Sequence, residues 1–351
     1  MEYRFEKFFQ KGALLRSPNW LGDAVMALPV IKCLKDSLQK SAPVFVLAPD
    51  NLADLYESIP SIAGVVKIGN GHCAWTKEQL NQIKRLNLGV GFLFVNSFRS
   101  AWYMRKCVPK LFGASNGIRN LLLTRSFPVR WIKKGSYAEE HQTYKYLSML
   151  YKLGIEKWDG KYPEFEFMDE KDFPDKDTAR FIRRKNILAI APGAAYGPSK
   201  RWKEANFNQI CRYWTRKMKG NVVILGSRDD FETASKAAEG LDATQVLNIA
   251  GKTDLKELMY VLKNSDFCVS NDSGVMHLGA ALGIKGIAIF GSTDPYATGP
   301  LANKWKVLHK KQSCSPCFSR ECNNNLKDYS CLDAISPSEV IKEMNSMLNP
   351  E

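Results

Sequence analysis

No stretch of the sequence approaches the roughly 18 consecutive apolar residues that a membrane-crossing helix requires, so a helical span is excluded as an organising feature. A signal sequence is not expected either. The segment MEYRFEKFFQKGALLR places charges where an uninterrupted apolar core would have to run, and the chain is expected to stay in the cytosol. No strand-like run is followed by G-x-G-x-x-G, and G-x-x-x-x-G-K-[ST] does not occur, which excludes the standard dinucleotide fingerprint and the P-loop. Acidic residues are few beside basic ones, 36 against 50, for a net charge of +14 that favours an anionic partner. The deficit is sharpest from Arg99 to Lys134. That stretch has no acidic residue and nine basic ones (Arg99, Arg105, Lys106, Lys110, Arg119, Arg125, Arg130, Lys133, Lys134), interleaved with Trp102, Tyr103, Phe112, Phe127 and Trp131. Such a surface is either a solvated basic face or one that meets phosphates beside apolar groups, as lipid headgroups present them. Nine cysteines, an odd number scattered along a chain without an export signal, argue for reduced thiols over a disulfide framework.

What is present is apolar material for two packed cores: 45% hydrophobic and 11% aromatic over 351 residues. Strand-like runs alternate with helical patterns, the signature of parallel α/β layers. The strands are expected at 13–16, 44–47, 65–68 and 91–95, then at 187–191, 222–225, 246–249, 267–270 and 287–290. Helices are expected over 24–38, 203–217, 231–239 and 255–263, with an amphipathic one at 337–348. Between the halves, Tyr162 to Asp177 is rich in Pro and acidic residues and lacks periodicity. The domain division read from this is 1–165, a linker at 166–180, 181–335, and a final helical segment at 336–351.

In open α/β sheets ligands sit beyond the carboxyl ends of the strands, so strand-to-helix junctions carry the functional expectation. At the first, Ser17 to Ala24, a glycine and one carboxylate, Asp23, open a helix; Asp23 is either its cap or a general base. The second, Ala191 to Trp202, combines Gly193 and Gly197 with Lys200 and Arg201, a set able to neutralise a diphosphate without metal. The third, Ser270 to Gly283, sets Asn271, Asp272 and Ser273, all good N-cap residues, before Gly274, where helix-start N–H groups suit an anion. His277, one turn further, either reaches that anion or packs on the sheet.

Taken together, Ser17–Pro29 (SPNWLGDAVMALP), Asn96–Ala101 (NSFRSA), Ala191–Trp202 (APGAAYGPSKRW), Leu225–Ser227 (LGS) and Ser270–Gly291 resemble the ADP-heptose:lipopolysaccharide heptosyltransferases, glycosyltransferase family nine, most closely its heptosyltransferase II members. The resemblance implies an α/β GT-B fold, two Rossmann-like domains facing across a cleft, with the acceptor on the first and the nucleotide sugar on the second, and with the final helix crossing back to the first domain. It implies inverting transfer of L-glycero-D-manno-heptose from ADP-heptose to the first heptose of the inner core on Kdo-lipid A, with no cofactor required. Carried over, Asp23 resembles the family's catalytic base and Lys200 the group that stabilises the leaving ADP. Gly193, Asp272, Ser273, Gly274 and His277 then fall on the donor side, with Asp230 or Glu232 at the ribose. Gly22, Asn96, Ser97, Arg99 and Arg119 fall on the acceptor side. The expected partners are ADP-heptose and a phosphorylated Kdo-lipid A acceptor at the anionic cytoplasmic face of the inner membrane of a Gram-negative cell. No nucleic acid is expected, and the chain is expected to act as a monomer.

Cys314, Cys317, Cys322 and Cys331 form C-x2-C-x4-C-x8-C. The grouping fits reduced surface thiols, a thiolate zinc site or a redox-made disulfide, and the implied chemistry requires none of them. Two further functional readings stand beside the main one. One keeps the scaffold and changes the substrate (heptosyltransferase I, a third-heptose enzyme or a sugar-nucleotide epimerase); the other, prompted only by charge, is a nucleic-acid-binding protein, against which stands the absence of any RNA or DNA motif.

Overall fold

The computed structural model describes residues 5–38, 42–71, 74–128, 138–324 and 328–349. They form two compact units. Residues up to 128 with Gln142–Glu166 make the first, and residues 138–141 with those from Phe167 onward make the second. The first unit holds β1 (Ala13–Arg16), β2 (Val44–Ala48), β3 (Gly64–Lys67), β4 (Val90–Leu93), β5 (Lys110–Ala114) and β6 (Arg125–Phe127). The second holds β7 (Ile187–Ala191), β8 (Asn221–Ile224), β9 (Val246–Asn248), β10 (Phe267–Asn271), β11 (Gly286–Phe290) and β12 (Trp305–His309).

Each unit is one parallel sheet, in the orders β3-β2-β1-β4-β5-β6 and β12-β11-β10-β7-β8-β9. Counted from the first strand of each half, the two orders are the same. The chain direction of winding reverses between β1 and β4 and again between β7 and β10, and crevices at such reversals are where this architecture binds ligands. The central strands β1, β4, β7, β10 and β11 are buried at every position, because helices cover both faces and select unbroken apolar runs. Three strands escaped the sequence reading: β5, β6 and β12. Two of them are sheet edges with half-exposed residues, and β5 opens on a lysine, so none presents an uninterrupted apolar run.

In the first unit, one side of the sheet carries an aromatic cluster in which Phe112 meets Phe5, Phe9, Phe92 and Phe127 at centroid distances of 5.3–6.4 Å. Helix Leu21–Ser37 starts three residues before the expected position. It is buried almost all round from Ala24 to Leu34 because it packs along helix Gln142–Tyr151 as well as against the sheet.

In the second unit, Trp202, Phe207 and Trp214 centre the core. Two expectations about boundaries change here. The linker expected over 166–180 is shorter, since Asp175 caps a helix at Lys176–Ile182 whose Phe181 and Ile182 are already buried. The last helix, Pro337–Leu348, was expected to cross back to the first domain. It packs instead on helix Glu204–Arg216 and β11, with Val340 and Met344 inside the second unit's core. Apolar residues at 340 and 344 form a stripe that fits the groove beside Trp202 and Trp214, and Lys310 and Lys306 pair with Glu339 and Glu343 at 2.7 and 3.5 Å. No helix among the described residues is long and apolar enough to cross a membrane.

Candidate functional site

Each unit carries a candidate site of its own at its strand-order reversal. In the first, β1 ends on Arg16, whose side chain is buried. One guanidinium nitrogen donates to Ser17 O, the other to Asn19 Oδ1 at 2.7 Å, while Nε has no partner. Burial pulls its pKa down to about 10, against a smaller opposing pull from Tyr56. Ser17 Oγ lies 2.7 Å from Tyr56 Oη, so β1, the turn and the helix at Ala53–Glu57 are tied into one frame. That frame launches helix Leu21–Ser37, with Trp20 at its N-cap and Gly22 and Asp23 in its first turn, where the macrodipole favours a carboxylate.

Asp23 lines a cavity of about 320 Å³ together with Asn19, Trp20, Asn96, Gln142, Lys145 and Tyr146. Burial raises the pKa of Tyr146 well above the ordinary phenol value, and the charge of Asp23 adds to the effect. The sequence reading missed Gln142, Lys145 and Tyr146. The signal was available in their spacing: with Met149 they recur at i, i+3, i+4 and i+7, one face of a helix, and that face carries a lysine which the fold buries.

The other expected acceptor residues separate. Asn96 is in the cavity wall, whereas Ser97 caps helix Phe98–Arg105 by accepting from Ser100 N at 3.2 Å. Arg99 is exposed on that helix. Arg119 is the correction. Its side chain is buried and donates to the carbonyls of Val95 and Ala114, so it anchors a turn and presents no guanidinium to a ligand.

The second unit's candidate site is built from the loops after β7 and β10. Asn271 is fully buried between them: its Nδ2 donates to Pro192 O at 2.6 Å, and its Oδ1 accepts from Trp202 N at 3.1 Å. Asp272 does not cap the following helix. Its Oδ2 lies 2.5 Å from Lys200 Nζ and accepts from Thr293 Oγ1 at 2.6 Å. Helix Gly274–Ala281 therefore starts at Ser273, whose hydroxyl makes no cap bond and lies 3.0 Å from Ser270 Oγ. The first N–H groups of this helix face the end of the β7 and β10 reversal beside a lysine, an arrangement that accepts an anion.

His277 is buried one turn along. Its pKa is pushed down to about 4 by burial; Asp272 opposes, and His141 and Lys200 add to the lowering, so the ring is neutral near pH 7. Gly193 lies against Asp230: a Cβ there would fall 2.2 Å from the carboxyl carbon. Asp230 Oδ2 accepts from Ser227 N and Oγ at 3.0 and 2.6 Å, and Oδ1 lies 3.8 Å from Arg201. Glu232 points away from this loop and pairs with Lys236 at 2.7 Å, so of the two ribose candidates only Asp230 belongs to this candidate site.

Lys200 is steadied from behind. Three successive carbonyls of the Cys314–Cys322 segment hold its loop: Phe318 O accepts from Tyr196 Oη at 2.6 Å, Ser319 O from Ser199 Oγ at 2.5 Å and Arg320 O from Ser199 N at 3.1 Å. Cys314, Cys317, Cys322 and Cys331 all line one cavity of about 280 Å³ next to this contact. All four are free thiols, and among the described residues no three of His, Cys, Asp or Glu are grouped to hold a metal ion. Burial, and then the neighbouring thiols, push Cys331 up to about 11.

Residues 81–327 match the model of glycosyltransferase family 9 (heptosyltransferase). The lipooligosaccharide heptosyltransferase 2 of Campylobacter jejuni is 28% identical over 340 residues, covering 94% of this chain and 96% of that one. The lipopolysaccharide heptosyltransferase 2 of Salmonella typhimurium is 24% identical over 356 residues, with 96% and 99% covered. Among solved structures, the ADP-heptose lipopolysaccharide heptosyltransferase II of E. coli superposes with a TM-score of 0.78 at 22% identity, over 96% of this chain and 98% of that one. The fold is thus that of the GT-B glycosyltransferases.

Proposed function

The chain belongs to glycosyltransferase family 9, and from that membership we propose that it moves L-glycero-D-manno-heptose from ADP-heptose onto the first heptose of the lipopolysaccharide inner core, with Asp23 as general base. The observation that carries this reading is the chemistry of the two candidate sites. One offers a carboxylate in a cavity whose apolar walls also carry amides, an ammonium and an indole. The other offers a lysine and uncapped helix N–H groups for a diphosphate. In the proposed step the acceptor hydroxyl loses its proton to Asp23 and its oxygen bonds to the anomeric carbon. The bond from that carbon to the diphosphate oxygen breaks with its electron pair on ADP, and configuration inverts.

Lys200, held by Asp272 at 2.5 Å, contributes positive charge where the leaving diphosphate gains negative charge. Asp272, Ser273, Gly274 and neutral His277 shape the helix start around the donor, and Asp230 behind Gly193 faces the ribose. No cofactor enters this sequence of events. The enzyme works on a lipid-linked acceptor at the cytoplasmic face of the membrane, as a monomer.

The test is transfer from ADP-heptose to Kdo-lipid A and to its mono-heptosylated form, with ADP release followed and products weighed by mass spectrometry. Product from the mono-heptosylated acceptor alone is expected; product from Kdo-lipid A alone overturns the acceptor assignment. In the same assay Asp23→Asn is expected to abolish turnover while ADP still binds. Lys200→Ala is expected to lose both donor affinity and rate, by ~2–4 kcal/mol in kcat/KM. Wild-type turnover in the Asp23 variant would remove it as the base.

A further inference from the structure

The 3₁₀ segment Gly117–Leu122 reverses the ordinary allocation of side chains. Ile118 is 74% and Leu121 85% exposed, while Arg119 between them is 2% exposed. Enclosing a guanidinium with its Nε unpartnered and leaving two branched aliphatic groups in water are both unfavourable, so folding alone does not select this arrangement. The aliphatic groups do not stand alone. The segment packs against helix Phe98–Arg105, where Phe98 and Trp102 are about half exposed with rings stacked at 6.5 Å, and Lys106 Nζ lies 4.7 Å over the Trp102 ring. Arg99 on the same helix and Lys106 at its end supply positive charge beside these rings, whereas Arg105, Lys110 and Arg125 turn to the Pro109 carbonyl, the Phe8 ring and the Lys152 carbonyl; no acidic residue occurs among the described residues from 99 to 128. The remaining bases of the run, Arg130, Lys133 and Lys134, and Trp131 lie outside the described residues.

The patch is continuous with the Asp23 cavity. Val95 and Ala114, whose carbonyls hold Arg119, also line that cavity, and Trp20, 61% exposed, stands at its rim.

We propose that this face docks on an anionic bilayer, with Ile118 and Leu121 inserted among the acyl chains, Phe98, Trp102 and Trp20 at headgroup depth, and the basic residues on lipid phosphates. Aliphatic groups at the tip, aromatic rings behind them and cations behind those follow the polarity profile of a membrane interface. A second copy of the chain fits less well, because a two-fold contact would bring the same cations face to face. The inference rests on the lipid-linked acceptor proposed above: an acceptor anchored in the bilayer would present its sugars beside the docked face, next to the Asp23 cavity. Buried Arg119 then acts as the anchor that turns both aliphatic groups outward.

The test is flotation of the full chain with vesicles of phosphatidylethanolamine and phosphatidylglycerol, and separately of phosphatidylcholine alone, with no sugar substrate present. Wild type is expected to bind the anionic vesicles preferentially. Ile118→Ser with Leu121→Ser, both at exposed positions, is expected to weaken that binding about tenfold or more with thermal unfolding unchanged. The same double variant is expected to keep its rate on a lipid-free acceptor saccharide and to lose it on acceptor embedded in vesicles. Equal binding of wild type to both vesicle types, or unchanged anionic binding in the variant, overturns the proposal. So does a wild-type dimer that the substitutions dissociate, or RNA binding that matches vesicle binding and ignores the substitutions. Vesicle binding as expected together with no transfer to any acceptor would sustain the docking face and remove the heptosyl-transfer reading.

Discussion

His277 illustrates how much one side chain at the second unit's candidate site is governed by its surroundings. The imidazole is enclosed, so its charged form is disfavoured, and its folded pKa of about 4 lies below the ordinary value of 6.5. The sign follows directly: the unfolded chain takes up the proton first. The stability contribution is complete above about pH 6.5 and is lost progressively as pH falls through about 4, by on the order of 3 kcal/mol. Asp272, His141 and Lys200 are the charged or titratable neighbours that enter this balance. Urea unfolding at several pH values should show this slope in wild type and a flatter one in His277→Gln; parallel slopes would assign the acid sensitivity to other groups.

At the scale of elements, what matters is which loops touch. Gly193, after β7, leaves room for Asp230, which follows β8, and Asp230 in turn holds Ser227 by two hydrogen bonds. Gly193→Ala would place a methyl group 2.2 Å from the Asp230 carboxyl carbon and push that carboxylate off Ser227. The expected cost is about 1–3 kcal/mol of stability together with weaker ADP binding, read by thermal unfolding and calorimetric titration. Unchanged ADP affinity would show that Asp230 does not serve the nucleotide.

The same scale separates what was legible in the sequence from what was not. Buried central strands such as Ile187–Ala191 announce themselves as apolar runs, and the turns after β1, β7 and β10 announce themselves by glycine, lysine and capping residues. The partners those residues choose are tertiary. Asp272 has the composition of a cap, yet it goes to Lys200 and Thr293, residues distant in sequence. Arg119 sits in a basic run that reads as a surface, yet the carbonyls of Val95 and Ala114 draw it inward. The Gln142–Tyr151 helix is absent from the sequence reading, and only its packing along Leu21–Ser37 makes Lys145 a neighbour of the Asp23 cavity.

For the whole molecule, two sheets with separate cores mean two units that unfold separately unless coupled. The last helix belongs energetically to the second. A chain ending before Pro337 loses Val340 and Met344, both fully buried, and with them roughly 3–6 kcal/mol of apolar burial, comparable to the whole stability of many domains. Near-ultraviolet circular dichroism, to which the enclosed Trp202, Trp214 and Trp305 of that unit contribute, is expected to lose their part of the native signal in the truncated chain. The first unit's transition should persist. A truncated chain with an intact signal would show the helix to be an accessory.

The hold on the Lys200 loop comes from the carbonyls of Phe318, Ser319 and Arg320, with Phe318 in the left-handed backbone region at φ 50°. A main-chain grip of this kind is indifferent to most of the side chains that carry it and sensitive to chain length. Relatives of this protein are thus free to exchange residue types through the segment, whereas an insertion or deletion of one residue would shift every carbonyl out of phase and leave Lys200 without its backing.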